Sequence, residues 1–202
     1  MREISNQKLH EFLETINKED QDQIEELFFS LWSLHKMQGN IELPLEDFQK
    51  MKKLLLEEYW KENKDTIEWS LLLSGYFTRY HKYDEALQLL DKALEDSQER
   101  YHAECNSVSA IEAYATTLFY LAEFYLKEKK NLMLSLAYYT KCYEILITVD
   151  KTISEKIIHY TEWLQDISKN IDKLICENTS LLEQKIYVCM INGKSNYMDD
   201  IG

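Results

Sequence analysis

The chain has 202 residues, of which 45% are hydrophobic, so it can bury a core and is not expected to be a disordered segment. With only 4 glycines and 1 proline it has too few turn residues for a sheet-rich protein, which makes an all-α fold the expectation. The formal net charge of −13 argues against direct nucleic-acid binding, because phosphate contacts need clustered lysine and arginine.

The first part of the chain is predicted to form three helices. Ser5 is a suitable N-cap for a helix over 5–17, where apolar residues recur on one helical face. The same periodicity continues over 20–37 and stops at Gly39, a residue type that favours the end of a helix. Pro44 suits the first turn of a third helix, because its fixed φ is already helical and it has no N–H to satisfy.

Six further helices are predicted after the polar run KENKD at 61–65. They lie at about 66–80, 84–100, 108–128, 132–149, 153–175 and 180–191. No linker rich in Gly, Pro or Ser divides the chain, so we expect one continuous domain. Its expected parts are N-terminal helical pairs or a cap at 1–65, two helix pairs at 66–149, C-terminal capping helices at 150–191 and a tail at 192–202.

Two pairs of these helices share one order of large and small residues. In each pair a large apolar residue precedes a small one, and an aromatic residue, a polar turn and a second helix with two small residues follow. The first pair has Leu73, Ser74, Phe77, Tyr83, Ala86, Leu90 and Ala93, and the second has Leu121, Ala122, Tyr125, Leu132, Ser135, Tyr139 and Cys142. The small residues allow paired helices to approach closely. The second pair needs one extra residue in its turn.

This order resembles the tetratricopeptide repeat over about 67–146. The resemblance implies antiparallel helix pairs stacked as a right-handed superhelix, with the flanking helices as further pairs or caps. The spacing departs from the family, whose period is about 34 residues. Here Leu121 follows Leu73 by 48 residues, and the family's proline after the second helix is absent. A generic helical bundle is the alternative fold.

The sequence contains no recognisable catalytic or metal-binding pattern. No H-E-x-x-H occurs, and no histidine stands near a cysteine at ligand spacing. None of the glycine-rich phosphate-binding patterns and no G-x-S-x-G occurs either. We therefore expect no enzymatic activity, no cofactor and no metal. Structural or solvent-exposed roles are expected for all histidines, which are His10, His35, His81, His102 and His159.

Cysteine and tyrosine add two expectations. The cysteines Cys105, Cys142, Cys176 and Cys189 form no C-x-x-C pair and lie near apolar helical stretches, so they are expected to be buried, reduced thiols. The chain also has 14 tyrosines, whose hydroxyls need polar partners. Those of the repeat region either pack helices together or line a peptide-binding groove; they include Tyr76, Tyr80, Tyr114, Tyr120, Tyr138 and Tyr143.

The resemblance implies a binding groove along the first helix of each pair, which lines the concave face in the family. The family's groove positions fall on Glu68, Leu71, Gly75, Thr78 and Arg79 in the first pair, and on Thr116, Phe119, Glu123, Leu126 and Lys127 in the second. Arg79 and Lys127 occupy equivalent places, and two cations on one face could hold a peptide carboxylate. The family's full carboxylate clamp, with its asparagines, is not reproduced, so a C-terminal carboxylate is not the expected ligand.

The expected function is that of a non-enzymatic protein-interaction module, an adaptor or chaperone-like scaffold that binds a peptide or protein segment on a concave helical surface. The acidity is typical of a soluble helical surface, and attraction for a basic partner is the alternative. No nucleic acid and no membrane are expected as partners, and the oligomeric state stays open. Because a signal peptide and a run of about 18 apolar residues are both absent, the expected location is the cytoplasm, with the nucleus as a second compartment.

Two alternatives remain from the sequence. The chain could be a structural helical subunit of a larger complex, with its aromatic residues buried against a fixed partner. Within the resemblance, the lengthened helices are similar to bacterial peptide-responsive regulators of the Rap type. The interrupted repeat and the acidity are similar to histone chaperones with interrupted tetratricopeptide repeats. The chain is shorter than the usual members of either family and carries no diagnostic motif of either.

Overall fold

The computed structural model describes residues 5–17, 20–38, 41–59, 66–149, 151–155, 157 and 160–191. These residues form helices and no strand, so the predicted all-α class is confirmed. The helices are α1 (Asn6–Thr15), α2 (Gln21–Gln38), α3 (Leu45–Lys53), α4 (Ile67–Arg79), α5 (Tyr83–Ala103), α6 (Val108–Lys127), α7 (Leu132–Ile147), α8 (Lys151–Ser154) and α9 (Tyr160–Ile191). A π-helix over Leu54–Tyr59 continues α3.

The chain consists of two compact units, Met1–Asp96 and Ser97–Gly202. Their boundary falls inside α5, which continues through it without a break. Because neither glycine nor proline marks this point, the composition of the sequence gives no sign of it.

The starts of the first helices follow the residue types that predicted them. The Ser5 hydroxyl accepts a hydrogen bond from the Lys8 N–H (3.3 Å), which confirms Ser5 as the N-cap of α1. Pro44 is the N-cap of α3, one position before the first turn in which it was expected. The predicted end of α2 at Gly39 lies outside the described residues.

In the first unit, aromatic contacts join three helices around Tyr76. Phe28 of α2 packs against Trp69 of α4 with ring centroids 5.7 Å apart, and His35 packs against Tyr76 further along both helices at 5.8 Å. From the first contact to the second, the residue number increases on both helices, so α2 and α4 run parallel. Tyr76 also stacks on Phe48 of α3 at 4.6 Å. The fully buried apolar side chains around these rings include Ile24, Leu27, Leu31, Leu34, Met51, Leu55, Leu73 and Phe77.

In the second unit, α6 and α7 form an antiparallel hairpin. Tyr125 stacks on Tyr138 near the turn, with centroids 5.7 Å apart. Further from the turn, the Cys142 thiol donates a hydrogen bond to the Ala115 carbonyl at 3.2 Å. A higher number on α7 thus meets a lower number on α6, as an antiparallel pair requires.

The C-terminal helices differ from the prediction. The predicted continuous helix from 153 is wrong, because α8 ends at Ser154 and α9 begins at Tyr160. Ile157, whose apolar side chain suggested continuity, is buried in the turn between them, where its N–H donates to the Ser154 carbonyl (3.2 Å). The predicted break near 178 is reduced to one non-helical residue, Asn178 (φ −133°, ψ 24°), inside α9.

The turns of the two predicted helix pairs have related geometry. His81 between α4 and α5 and Lys130 between α6 and α7 both have a positive φ, of 56° and 54°. In the first turn the Lys82 N–H donates to the Phe77 carbonyl (2.9 Å), five residues back. In the second, the Asn131 N–H donates to the Tyr125 carbonyl (2.9 Å), six residues back. The second turn therefore contains one more residue, as the sequence comparison requires.

The small residues of the repeat pattern are buried in both pairs. They are Ser74, Ala86, Ala93, Ala122, Ser135 and Cys142. In the second pair, the bond from the Cys142 thiol to the Ala115 carbonyl shows directly how closely α7 approaches α6.

The cysteine prediction is correct for one thiol and wrong for two. Cys142 is buried, and burial raises the pKa of its thiol to about 12, so the thiol is protonated and unreactive at neutral pH. Cys105 and Cys176 are exposed. Cys105 lies in the connection between α5 and α6, and Cys176 lies on the solvent side of α9. Apolar residues nearby in the sequence do not show whether a cysteine itself is buried. The Cys189 side chain lies outside the described residues.

Replacing Lys130 by glycine is expected to raise the free energy of unfolding by about 0.5–1 kcal/mol, because a left-handed backbone conformation is costly for a residue with a Cβ. Urea denaturation measures the change. Lys130→Ala is the matched control, since it removes the charge but keeps the Cβ. An equal gain in both variants would show that the lysine charge, and not the backbone, is the cause.

Candidate binding site

A pocket of about 400 Å³ lies in the first unit, at the C-terminal end of α4. One wall is the segment that leads into α3, and the other is the last turn of α4. We call it the polar pocket; its lining residues are Ile41, Glu42, Leu43, Tyr76, Arg79 and Tyr80. Helical spacing accounts for the second wall, because Tyr76, Arg79 and Tyr80 are three and four positions apart and therefore share a face.

The floor of the polar pocket is a hydrogen-bond network centred on the Tyr76 hydroxyl. This oxygen lies 2.8 Å from Nδ1 of His35. It also accepts hydrogen bonds from the Ile41 N–H and the Arg79 guanidinium, both of which favour its ionised form. With these two donors directed at the oxygen, a neutral His35 that carries its proton on Nε2 is the tautomer that lets Tyr76 donate to Nδ1.

The electrostatics of the polar pocket agree with this assignment. Burial lowers the pKa of His35, and the positive charges of Arg79 and Lys36 lower it further. Burial also raises the pKa of Tyr76. Both groups are consequently neutral near pH 7, and the guanidinium of Arg79, 5.2 Å from the centre of the Tyr76 ring, is the charge that the network holds in place.

Tyr80 connects the two walls of the polar pocket. Its hydroxyl donates to the Leu43 carbonyl at 2.6 Å, so the segment before α3 is fastened to the end of α4. Tyr80 is 39% exposed, so part of the residue is accessible from solvent. Glu42 is exposed at the rim.

The five groove residues predicted on α4 lie in different environments. Arg79 lines the polar pocket, Glu68 is exposed and Leu71 is buried. Thr78 is half-buried, and its hydroxyl donates to the Ser74 carbonyl of the preceding turn at 2.8 Å. A Cβ built on Gly75 would meet none of the described atoms within 4 Å. Space is therefore open beside Gly75, one turn before Arg79.

Three of the groove residues predicted on α6 gather around the buried Tyr139. The Glu123 carboxylate accepts a hydrogen bond from the Tyr139 hydroxyl and pairs with Lys127. Phe119 meets the Tyr139 ring edge-on, with centroids 5.7 Å apart. The Asn170 side chain of α9 donates to the same hydroxyl at 3.3 Å. Burial, aided by the Glu123 charge, raises the pKa of Tyr139 well above its ordinary value.

The remaining α6 positions are peripheral to this cluster. Thr116 and Leu126 are both half-buried. Arg79 belongs to the first unit and Lys127 to the second.

Sequence reasoning missed most of the polar pocket. His35 was assigned a structural or solvent role, and the segment 41–43 was only a connection between helices. The available signal was the order of Tyr76, Arg79 and Tyr80 on one face at the end of a helix. Tyr76 and Tyr80 had been noted as members of a tyrosine cluster, but their hydroxyl partners lie 41 and 37 residues earlier in the chain.

Comparisons with known proteins add no family. A scan against protein-family models found no match, and searches of curated proteins and of solved structures found none either. Among the described helices, none has both the length and the apolar character needed to cross a membrane.

The neutral state of His35 predicts a specific pH dependence of stability. Because the folded pKa is lowered, the unfolded chain takes up a proton first as the pH falls below the ordinary value of about 6.5. The contribution of His35 to stability is therefore complete above that pH and declines until folded His35 is protonated as well. Urea titrations across this range should show wild type losing stability relative to His35→Gln as the pH falls. Parallel pH profiles for the two proteins would contradict the assignment.

Proposed function

We propose that this protein is a non-enzymatic interaction module, built from tetratricopeptide-like helix pairs, which binds a segment of a partner protein along α4; α6 carries the equivalent positions in the second unit. The observation that carries the proposal is the open face of α4, where the space beside Gly75 lies one helical turn before Arg79, which lines the polar pocket. A gap followed by a fixed cation is suited to an extended segment with an acidic side chain at one end.

The dimensions of this face limit the length of the segment. Glu68 and Arg79 are 11 positions apart, which is about 16 Å along a helix. An extended peptide covers that distance with about five residues. The two charges also give the segment a direction, since a basic residue suits Glu68 and an acidic residue suits Arg79. The same two charges complement the helix dipole of α4, so binding has to be tested separately from stability.

The acidity of the chain supports a partner that is basic outside the bound segment. A net charge of −13 attracts positively charged surfaces over roughly a Debye length and raises the rate of encounter. The Arg79 interaction is local and the long-range attraction is diffuse, so the two differ in their sensitivity to salt. In this proposal the localisation is cytoplasmic, with the nucleus as a second compartment.

A structural subunit of a larger complex is the second candidate function, and one surface favours it. Phe29 on α2 is 59% exposed, and its ring lies 6.1 Å from that of Trp32. The ammonium of Lys36 lies 5.3 Å from the Trp32 ring centre. Exposed aromatic residues beside a cation are typical of protein interfaces. Purification in a fixed ratio with one partner would favour this function over a module that binds exchangeable segments.

Filling the space beside Gly75 should block binding. Peptides selected from a random library against the wild-type protein should bind Gly75→Trp at least tenfold more weakly, because the indole occupies the space of a ligand side chain. Gly75→Ala is the control; it should retain binding and raise the free energy of unfolding by about 0.5–1 kcal/mol through helix propensity. Equal affinity of the selected peptides for Gly75→Trp would exclude this face.

Reversing the two equivalent cations should abolish capture of the natural partner. In affinity capture from the native cell, the double variant Arg79→Glu with Lys127→Glu is expected to lose the partner that wild type retains. The double variant Lys53→Glu with Lys141→Glu changes the net charge equally at exposed positions outside the proposed face. Unchanged recovery with the first variant, or equal loss with both, would contradict a role of these two cations in binding.

A further inference from the structure

Three metal-ligand side chains come together between α1 and α3 in the first unit. His10 and Glu14 lie one turn apart on the same face of α1, and Asp47 comes from α3. One ligand atom from each of the three lies within 4.8 Å of the others. We call these three residues the His10 cluster.

One member of the His10 cluster is a buried carboxylate. The Asp47 side chain is 2% exposed, and its Oδ2 lies 2.6 Å from Nδ1 of His10. The ammonium of Lys50 pairs with Glu14 and lies 4.0 Å from Oδ1 of Asp47. A buried carboxylate needs a charged or hydrogen-bonding partner, and a divalent cation can serve two carboxylates at once.

We propose that the His10 cluster binds one Zn²⁺ ion through a nitrogen of His10 and one oxygen each of Glu14 and Asp47, and that Lys50 takes the place of the ion when no metal is bound. Imidazole nitrogen and carboxylate oxygen are both zinc ligands, and zinc sites with three protein ligands hold water in the fourth position. Replacing the ammonium by a divalent ion neutralises the two carboxylates.

The surroundings permit this exchange. Lys50 and Glu14 are about half exposed, so the ammonium can move into solvent and the Glu14 carboxylate can approach the ion. The His10 Nδ1 and Asp47 Oδ2 atoms lie 2.6 Å apart, so they have to separate to about 3.3 Å, and the Glu14 carboxylate has to approach, for each ligand to reach the ~2 Å distance of a tetrahedral zinc site. The imidazole favours Zn²⁺ over Mg²⁺ or Ca²⁺, which prefer oxygen ligands. Because the donors come from two helices, the ion would fasten α1 to α3.

This site is independent of the proposed peptide-binding function, since none of its residues lines the polar pocket or the open face of α4. The sequence did not indicate it. His10 and Glu14 alone are an ordinary helical pair, and Asp47 follows His10 by 37 residues.

Calorimetric titration of the full chain with Zn²⁺, after removal of metals by a chelator, tests the proposal. Wild type should bind one ion, and His10→Ala should weaken binding at least tenfold. Lys50→Met should bind about fivefold more tightly, because the competing ion pair is gone. His102→Ala is the matched control, an exposed histidine outside the cluster, and should leave binding unchanged. Binding that survives His10→Ala would come from other groups, such as the exposed cysteines, and would overturn the proposal.

Thermal unfolding gives a second measurement that does not depend on the heat of binding. Zn²⁺ should raise the Tm of wild type and of Lys50→Met but not that of His10→Ala, since only a ligand bound to the folded state stabilises it. Circular dichroism confirms that the variants are folded. If Lys50→Met binds no zinc, or if Mg²⁺ raises the Tm as much as Zn²⁺, the cluster is an ion-pair network and the proposal is wrong.

Discussion

The Tyr76 hydroxyl is the point on which the arrangement of the first unit depends. It joins α4 to His35 of α2 and to the backbone of Ile41, while its ring stacks on Phe48 of α3. Apolar packing alone would leave the rotation of each helix loosely defined, because many apolar contacts are nearly equivalent. A buried hydroxyl with one proton and two acceptor sites permits far fewer arrangements. The network therefore fixes which side of α4 faces inward and which side, with Gly75, faces outward.

Tyr139 has a comparable role in the second unit. Its ring is fully buried, and its hydroxyl lies between Glu123 of α6 and Asn170 of α9. A leucine at this position would fill a similar volume but would leave the Glu123 carboxylate and the Asn170 amide without this partner. Replacing one member of such a network costs more than an isolated hydrogen bond contributes, because the remaining polar groups stay desolvated. The sequence leaves two roles open for the tyrosines, packing between helices and lining a groove. Tyr139 has the first of these roles.

What the sequence predicted well is local. The Ser5 cap, the starts of α4 to α7 and the extra residue before Asn131 all depend on neighbours within about two helical turns, and hydrophobic periodicity reports on that range. The polar pocket depends instead on partners such as His35 and Tyr76, 41 residues apart, which a single sequence does not pair. The exposed side of Cys176 and the turn at Ile157 were missed for a related reason, since apolar content does not show where a helix ends or which face packs.

The position of Arg79 in both the hydrogen-bond network and the proposed binding face constrains the ligand. A partner that draws the guanidinium away from Tyr76 weakens one of the hydrogen bonds that hold the hydroxyl, and a hydrogen bond to a charged group contributes about 1.5–3 kcal/mol. A neutral amide or hydroxyl of the partner would scarcely offset that loss. A carboxylate can, because it forms two charge-assisted bonds with the planar guanidinium. The same coupling means that changes at Arg79 also alter the surroundings of His35, whose pKa it helps to lower. Gly75 makes no such contact. A substitution at Gly75 therefore tests ligand binding with less effect on folding than a substitution at a charged position on this face.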